Sequence, residues 1–461
     1  MGSPGHFYGA RSFWFGDAPA YDPSPPLRGE RRADVAVLGG GINGLSTALH
    51  LRRADPACTV ALLEGEVIGF GASGRNAGQL IVAFGGGDLA RARRRLGASQ
   101  IAEGWSYVHR GLVAIEEFIA SEGIDVDYAQ TGFVEAALAA DRPGTIDAFH
   151  DLLVEIGQSA FVTALSGSEM AQAFNSPYLG GGMHDRRGGQ LHPLKLVRGL
   201  KRAAERAGAR IYENSPVARI ETAGPGIVLE TGTGRLRCER LVLATNAYTH
   251  LLEGLAPICG DRLQRPLIVH ASVTEPLSAQ QWEAVGWTRR CGVNVLSDLF
   301  YSFAPTADGR LVYVSGYHVG VPEGKTLGPE VNLRFLKEGH AHLEQFFPAL
   351  RGLRTVQSWG GPISITPDYL PGVGVSRDPR ILYAIGCWGH GLPIGMQNGQ
   401  ALADLVLDRI TQDSAAWFVQ RPARLFPPAA ISSAALRGAR RVQRAANRRK
   451  ALKLDPPLRF G

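Results

Sequence analysis

Cysteine is scarce in this chain. The five residues Cys58, Cys238, Cys259, Cys291 and Cys387 form no CxxC pair and leave an odd one over. That excludes a disulfide framework and a zinc ribbon, gives no metal site to expect, and suits a reducing compartment. No stretch approaches the ~18 consecutive apolar residues of a membrane-spanning helix. Arg31-Arg32 precede an apolar segment, but Asp34 interrupts it, so no twin-arginine export signal is read. The expectation is a cytoplasmic protein. Repeats and low-complexity blocks are absent before residue 421. A charge surplus is also missing from the body of the chain. The net charge of +7 comes from residues 421–461, where eleven Lys and Arg face only Asp455, leaving 38 basic and 41 acidic side chains in residues 1–420. The body therefore has no electrostatic footprint for nucleic acid.

Glycine, by contrast, is abundant, with 58 residues, as expected where backbone approaches a large ligand in several places. The most informative stretch is the apolar run Val35 to Leu38, the turn Gly39-Gly40-Gly41-Ile42-Asn43-Gly44, and a helix-like spacing of Leu45, Ala48, Leu49 and Leu51. In such a unit the first glycine makes the tight turn and the second admits a pyrophosphate. The third lets the helix pack close to the strand, so that its positive end faces the phosphates. A second strand, 59–63, ends at Glu64, twenty residues after Gly44. That acid is placed to accept hydrogen bonds from a ribose diol. Directly after it, 68–79 contains Gly71, Ala72, Ser73, Arg75, Asn76, Gly78 and Gln79. These small residues suit a loop folded against a dinucleotide, with Arg75 or backbone N–H groups countering pyrophosphate charge.

Residues 1–30, with Phe7, Tyr8, Phe13, Trp14, Phe15 and Tyr21, read as an irregular arm over the body. Helices are expected at 100–120 and 143–157, with a strand at 131–138 between them. A helix at 193–208 opens on Pro193 and closes on Gly208. Strands follow at 209–212, 216–221, 227–230 and from 240 into the small-residue turn Thr245-Asn246. Residues 260–350 carry β-rich runs at 267–273 and 311–317 and a helix near 333–346. A strand at 380–386 leads into a helix at about 395–410. The fold class predicted is α/β: a three-layer, Rossmann-like domain from 31–82, 186–258 and 352–412. It is interleaved with an α+β domain on a mostly antiparallel sheet, from 83–185 and 259–351. In the tail, 413–461, Arg437, Arg440, Arg441, Arg444 and Arg448 share one helical face, opposite Ala435, Ala439, Val442 and Ala446. Such a helix packs on its own body or makes a weak contact with an anionic membrane surface or an acidic partner.

Taken with Leu243-Ala244-Thr245-Asn246-Ala247 and Gly386-x-x-Gly389-His390-Gly391, these motifs resemble the D-amino acid oxidase-like FAD-dependent oxidoreductases over roughly 30–410. Within that family the arm with Ser12-Phe13-Trp14, the 71–76 loop and the segment from Trp359 to Asp368 are most similar to the γ-glutamylputrescine oxidoreductase branch. The resemblance implies an extended FAD, with Glu64 at its adenosine, Gly39 to Gly44 at its pyrophosphate, and Val217 beside the adenine. Gly389, His390, Gly391 and Leu392 would stand where a helix N-terminus meets the ring. It further implies hydride transfer from the C–H beside an amine nitrogen to the flavin N5, giving an imine that hydrolyses. That chemistry needs a positioned neutral amine more than an acid–base pair.

His390, Tyr317 and Trp359 are the expected residues at the reacting centre. Tyr301, His318 and Trp388 are further aromatic or imidazole candidates, and Arg262 or Arg265 would meet a substrate carboxylate. Gly361 stands where cysteine-linked members carry a thiol, so non-covalent FAD is expected, with Cys387 a small buried filler. Val314 holds the place of an oxygen-activating lysine, which leaves open oxygen, or a quinone or carrier, as electron acceptor. An FAD monooxygenase is the alternative that shares the opening fingerprint. It needs a late Gly-Asp motif, and the tempting Gly16-Asp17 comes too early.

Overall fold

Val35–Leu38 is buried at every position and sits inside a six-stranded sheet. The order across that sheet is Gly372–Val375, Ile381–Ile385, Arg240–Leu243, Val35–Leu38, Val60–Leu63, Arg210–Tyr212. All neighbours run parallel except the edge strand Gly372–Val375. The computed structural model describes residues 11–442 apart from 86–88, 142, 253–261, 297–300, 320–332, 423, 429–430, 433 and 440.

Strand alternation divides the apolar residues between two cores. Val35, Val37 and Val242 face a helical layer with Leu45 and Leu49, whereas Ala36, Leu38 and Leu241 face Leu229 and Leu236. The second set lies under a four-stranded sheet made of Gly29–Arg32, Gly234–Cys238, Ile227–Thr231 and Val217–Glu221. Helices, central sheet and outer sheet are the three layers. Two of the outer strands depart from the sequence reading. Gly29–Arg32 belongs to the expected irregular arm but pairs in parallel with Gly234–Cys238, a strand not foreseen at all. Gly29–Arg32 is charged and exposed at every position and carries no apolar period, and Gly234–Cys238 is a short strand whose inward Leu236 and Cys238 alternate with arginines.

The second sheet has eight strands, in the order Thr355–Ile365, Arg265–Thr274, Leu311–Val319, Ser302–Pro305, Gly292–Val295, Phe133–Leu138, Leu179–Asp185, Val162–Leu165. It is antiparallel except where Gly292–Val295 meets Phe133–Leu138. One face packs on the helix Leu333–Phe346 through Tyr301, Phe303 and Phe346. The other face looks toward the first sheet's strand ends.

Thr355–Ile365 was grouped in sequence with the nucleotide-binding segments; it pairs instead along Arg265–Thr274, in continuous register from Arg265↔Ile365 to Val273↔Gln357. Its partner lies ninety residues away, and nothing local specifies it. Ala98–Glu122 was grouped with the second domain, yet its buried residues join the helical layer of the first. Gly111 explains the contact: a Cβ there would meet the Pro393 carbonyl oxygen at 2.0 Å, so only glycine admits this crossing of Gly391–Val406. That last helix starts at Gly391, four residues before the expected boundary. No helix among the described residues is long and apolar enough to cross a membrane.

Candidate active site

A cavity of about 500 Å³ lies between the carboxyl ends of the parallel strands and the open face of the eight-stranded sheet. Gly39, Gly40 and Gly41 line it, together with Ile42 and Asn43. Gly39 adopts φ +114°, and a Cβ there would meet the Ala244 carbonyl oxygen at 2.7 Å. At Gly40 a side chain would strike Ile68, and at Gly41 the Ser73 hydroxyl at 2.9 Å. The turn is thus a cradle that any side chain would fill. Gly44 does not line the cavity; it lets the helix Ile42–Ala54 press on the strand, since its Cβ would lie 2.0 Å from the Gly39 oxygen.

Glu64 closes the strand Val60–Leu63 and faces the cavity. Its carboxylate accepts the N–H of Gly40 at 2.7 Å and of Glu66 at 3.0 Å. Desolvation outweighs these two bonds and raises its pKa to about 7. The loop after it is organised by its own side chains. The Ser73 hydroxyl accepts the Ile42 N–H at 3.0 Å and caps a helix whose N-cap, Gly41, has no side chain to do so. Asn76 donates to the carbonyls of Ala72 and Ser73 and accepts the Gly78 N–H at 2.8 Å. Gly71, Ala72, Ser73, Asn76 and Gln79 all line the cavity. Gly78 does not, since its role is close approach to Leu191, whose oxygen a Cβ would meet at 2.2 Å.

Arg75 departs from expectation. It lines the cavity, but its guanidinium donates to the carbonyls of Phe70 at 2.7 Å and Gly360 at 2.9 Å. The group at the helix N-terminus is Ser73. Arg75 instead fastens the loop to the eight-stranded sheet, and Trp359 returns the contact by donating from its indole to the Arg75 carbonyl at 2.8 Å.

Val217, Thr245 and Asn246 line the far wall. Gly389, His390, Gly391 and Leu392 complete it at the start of the helix Gly391–Val406. His390 is half-buried, and burial holds its ring below the ordinary histidine range against the Gly85 backbone, which favours protonation. Its Nδ1 and the Oδ1 of Asn43 are buried polar atoms with no partner among the described residues, and both residues line the cavity. Orphaned buried acceptors of this kind call for a ligand. A glycine cradle at a helix N-terminus, a carboxylate at the end of the next strand and these two atoms fit a dinucleotide, with acceptors and donors at both ends.

The aromatic candidates separate. Trp359 lines the cavity and is only 1% exposed. Tyr317 lies on Leu311–Val319 opposite Val269, but its side chain, like that of His318, is outside the described residues. Tyr301 packs on Phe346, and Trp388 stacks on Tyr369 and bonds the Thr366 hydroxyl, so both are core. Alternation places Ser302, not Tyr301, on the cavity side. Arg262 and Arg265 do not line this cavity; they bond the backbone of Phe426 and Pro427 and the hydroxyl of Ser432. Cys387 is no filler either: it lines the cavity, within 3.5 Å of the Asn246 amide.

The sequence reading missed the floor, made of Val269, Ala271, Ile363, Ser302 and Asn294. Period-two alternation in the 267–273 run would have marked the first two.

Comparison with known proteins agrees with this geometry. The model of the FAD dependent oxidoreductase (DAO) family matches residues 34–405. The γ-glutamylputrescine oxidoreductase of Escherichia coli K12 is 30% identical over 395 residues, covering 86% of this chain and 88% of that protein. The crystal structure of glycine oxidase from Geobacillus kaustophilus superposes with a TM-score of 0.68 at 22% identity, over 83% of this chain and 96% of that one. The L-amino acid deaminase from Proteus myxofaciens, in complex with anthranilate, gives a TM-score of 0.68 at 19% identity, over 89% and 96%. A family match across the cradle, the acid and the last helix makes the conclusion plain: this chain belongs to the FAD-dependent oxidoreductase family.

Proposed function

We propose that this FAD enzyme oxidises the C–N bond of an amine or amino acid held between the eight-stranded sheet and the start of Gly391–Val406. The observation that carries the reading is the continuity of one cavity, from Glu64 and the glycine turn to Val269, Ala271 and Val314. FAD supplies the redox chemistry, taking up the two electrons released when the C–H beside the nitrogen breaks. The chain's own residues bind and orient. Gly39 to Gly41, Ser73, Asn43 and Glu64 would hold the dinucleotide, with the N-terminus of Ile42–Ala54 favouring its phosphates. The sixteen-residue helix behind His390 presents its positive end to the cavity, which favours negative charge arriving there.

The apolar wall of Val269, Ala271, Val314 and Ile363 disfavours an ammonium and so keeps a bound amine neutral, with its lone pair available. His390, held neutral by burial, offers Nδ1 as a polar partner. Gly361 brings no nucleophile to the wall, so FAD is held without a covalent link in this reading. Oxygen or another electron acceptor completes the cycle. The relatives named above act on γ-glutamylputrescine, glycine and L-amino acids by their names, which supports the substrate class. The monooxygenase alternative is not favoured.

A cytoplasmic setting belongs to the same reading and is supported by four described cysteines, all free. Contact of the tail with an anionic membrane or an acidic partner stays weak in it. Ala435, Ala439 and Val442 are exposed, and so alanine-rich a face binds lipid poorly. The test is anaerobic mixing of the yellow holoenzyme with a panel of amines and amino acids. Bleaching of the visible flavin band by members of the panel is the expected result. Bleaching by NADPH alone would overturn the reading.

A further inference from the structure

The cavity floor continues outward as a row of paired positions. Val314 pairs with Ser302, Ser302 with Asn294, and Asn294 with Glu135. Directly paired residues point to the same face, and neighbouring strands lie about 4.8 Å apart. Val314, Ser302 and Asn294 line the cavity, and Glu135 is the next residue along, half-buried. Gln79 ties the row to the cofactor loop. Its amide donates to the Ser302 hydroxyl at 2.9 Å, and its carbonyl accepts from Asn294 at 3.0 Å. Asn294 in turn hydrogen-bonds the Glu135 carboxylate. Four polar side chains therefore form one connected strip leading away from the apolar reaction wall.

Among the described residues no cation balances the acid at the end of the strip. Among the described residues the groups acting on Glu135 are Asn294 and the acid Asp185, and Asp185 is itself held by Arg187 at 2.6 Å. Burial, reinforced by Asp185, pushes the Glu135 carboxyl up to about 8. An acid so disfavoured as an anion is one that an incoming cation relieves. The row holds no cationic side chain to meet an α-carboxylate. The described arginine on the cavity wall, Arg75, already donates to two backbone carbonyls.

We infer that Glu135 recognises a second, cationic nitrogen on the substrate, so that the enzyme takes diamines or polyamines in preference to monoamines or simple amino acids. The inference rests on the amine-oxidation reading and narrows it. Three strand spacings separate Val314 from Glu135, about 14 Å before the side chains reach inward, which suits an extended polycation. The distal ammonium pairs with the Glu135 carboxylate, Asn294 and Gln79 orient that carboxylate, and the reacting amine rests on the apolar wall.

The test uses holoenzyme under anaerobic conditions with four probes: spermidine, butane-1,4-diamine, n-butylamine and glycine. Half-saturation of flavin bleaching is expected at concentrations on the order of tenfold to hundredfold lower for the two polycations than for butylamine, the range of one charged hydrogen bond. Glu135→Gln, which keeps the volume and the bond to Asn294, should collapse that ratio toward one, with flavin content reporting that the variant has folded. Wild-type preference for butylamine or glycine overturns the inference without any variant and leaves amine oxidation standing. An equal loss with every probe in Glu135→Gln also overturns it, because the acid is then structural. Failure of every amine and amino acid to bleach the flavin removes the underlying reading too, which is a different outcome.

Discussion

At the scale of single residues, Glu64 gives the sharpest expectations. Its carboxylate holds Gly40 and Glu66 while facing the cavity. Glu64→Gln keeps the shape but loses the charged acceptor for a ribose diol, so the FAD dissociation constant should rise about tenfold or more, read by titration of the apoprotein. The same residue sets a pH dependence. Its folded pKa, about 7, stands above the ordinary 4.5, so the folded chain binds this proton more tightly than the unfolded one. Stability from this group is fully present below about 4.5 and is lost as pH rises toward 7. Apoprotein melts across that window should show the decline in wild type and a flatter profile in Glu64→Gln. The acid and the glycine turn were legible in sequence because their physics is local: a tight turn, a close approach, a fixed spacing. Tyr301 was not. Its neighbour Ser302 faces the cavity, and choosing between them requires knowing which face of the strand is covered.

At the scale of elements, the N-terminal segment is a strap across the loop at 68–79. The Ser12 hydroxyl donates to the Gly74 carbonyl at 2.6 Å and the Trp14 indole to that of Asn76 at 2.8 Å. Further along, the Tyr21 hydroxyl donates to Glu213, which also accepts the Ile68 N–H at 2.6 Å and the Lys201 ammonium at 2.9 Å. Trp14 is 4% exposed, so Trp14→Ala should cost about 3–5 kcal/mol in a denaturant melt. It should also weaken FAD, because the loop residues that Trp14 holds line the cavity. The arm's position over the body was legible from its aromatic content. The strand Gly29–Arg32 was not, because its pairing with Gly234–Cys238 spans two hundred residues and its own four residues are all exposed. Long-range pairing also hid the place of Thr355–Ile365, whose apolar pattern fits either sheet.

At the scale of the whole molecule, the tail is expected to divide into a structural part that reaches Ser432 and a dispensable part beyond residue 442. Arg265, 1% exposed, bonds the Ser432 hydroxyl at 2.9 Å and the Pro427 carbonyl at 3.2 Å, and the Phe426 N–H returns to Arg262 at 2.7 Å. A chain ending at 424 strips the Ser432 and Pro427 partners from that buried guanidinium while the Gln264 carbonyl stays, and should lose about 1–3 kcal/mol. A chain ending at 442 should melt with the full-length protein, and the pair of truncations measured together checks the division. The basic periodicity of 437–448 suggests a helix in sequence, a reading that rests on Arg440, Arg444 and Arg448 outside the described residues, but it does not suggest that the residues just before it dock on Arg262 and Arg265. The two halves are coupled at a second seam. Arg75 donates to the Gly360 carbonyl and Trp359 to that of Arg75, so the loop that follows Glu64 and the edge strand of the eight-stranded sheet are one fastened unit. Anyone recombining this chain with a relative to change what it oxidises therefore has to transplant residues 70–79 along with 355–365. A crossover drawn at the apparent border between the two sheets would cut the stitching that aligns them.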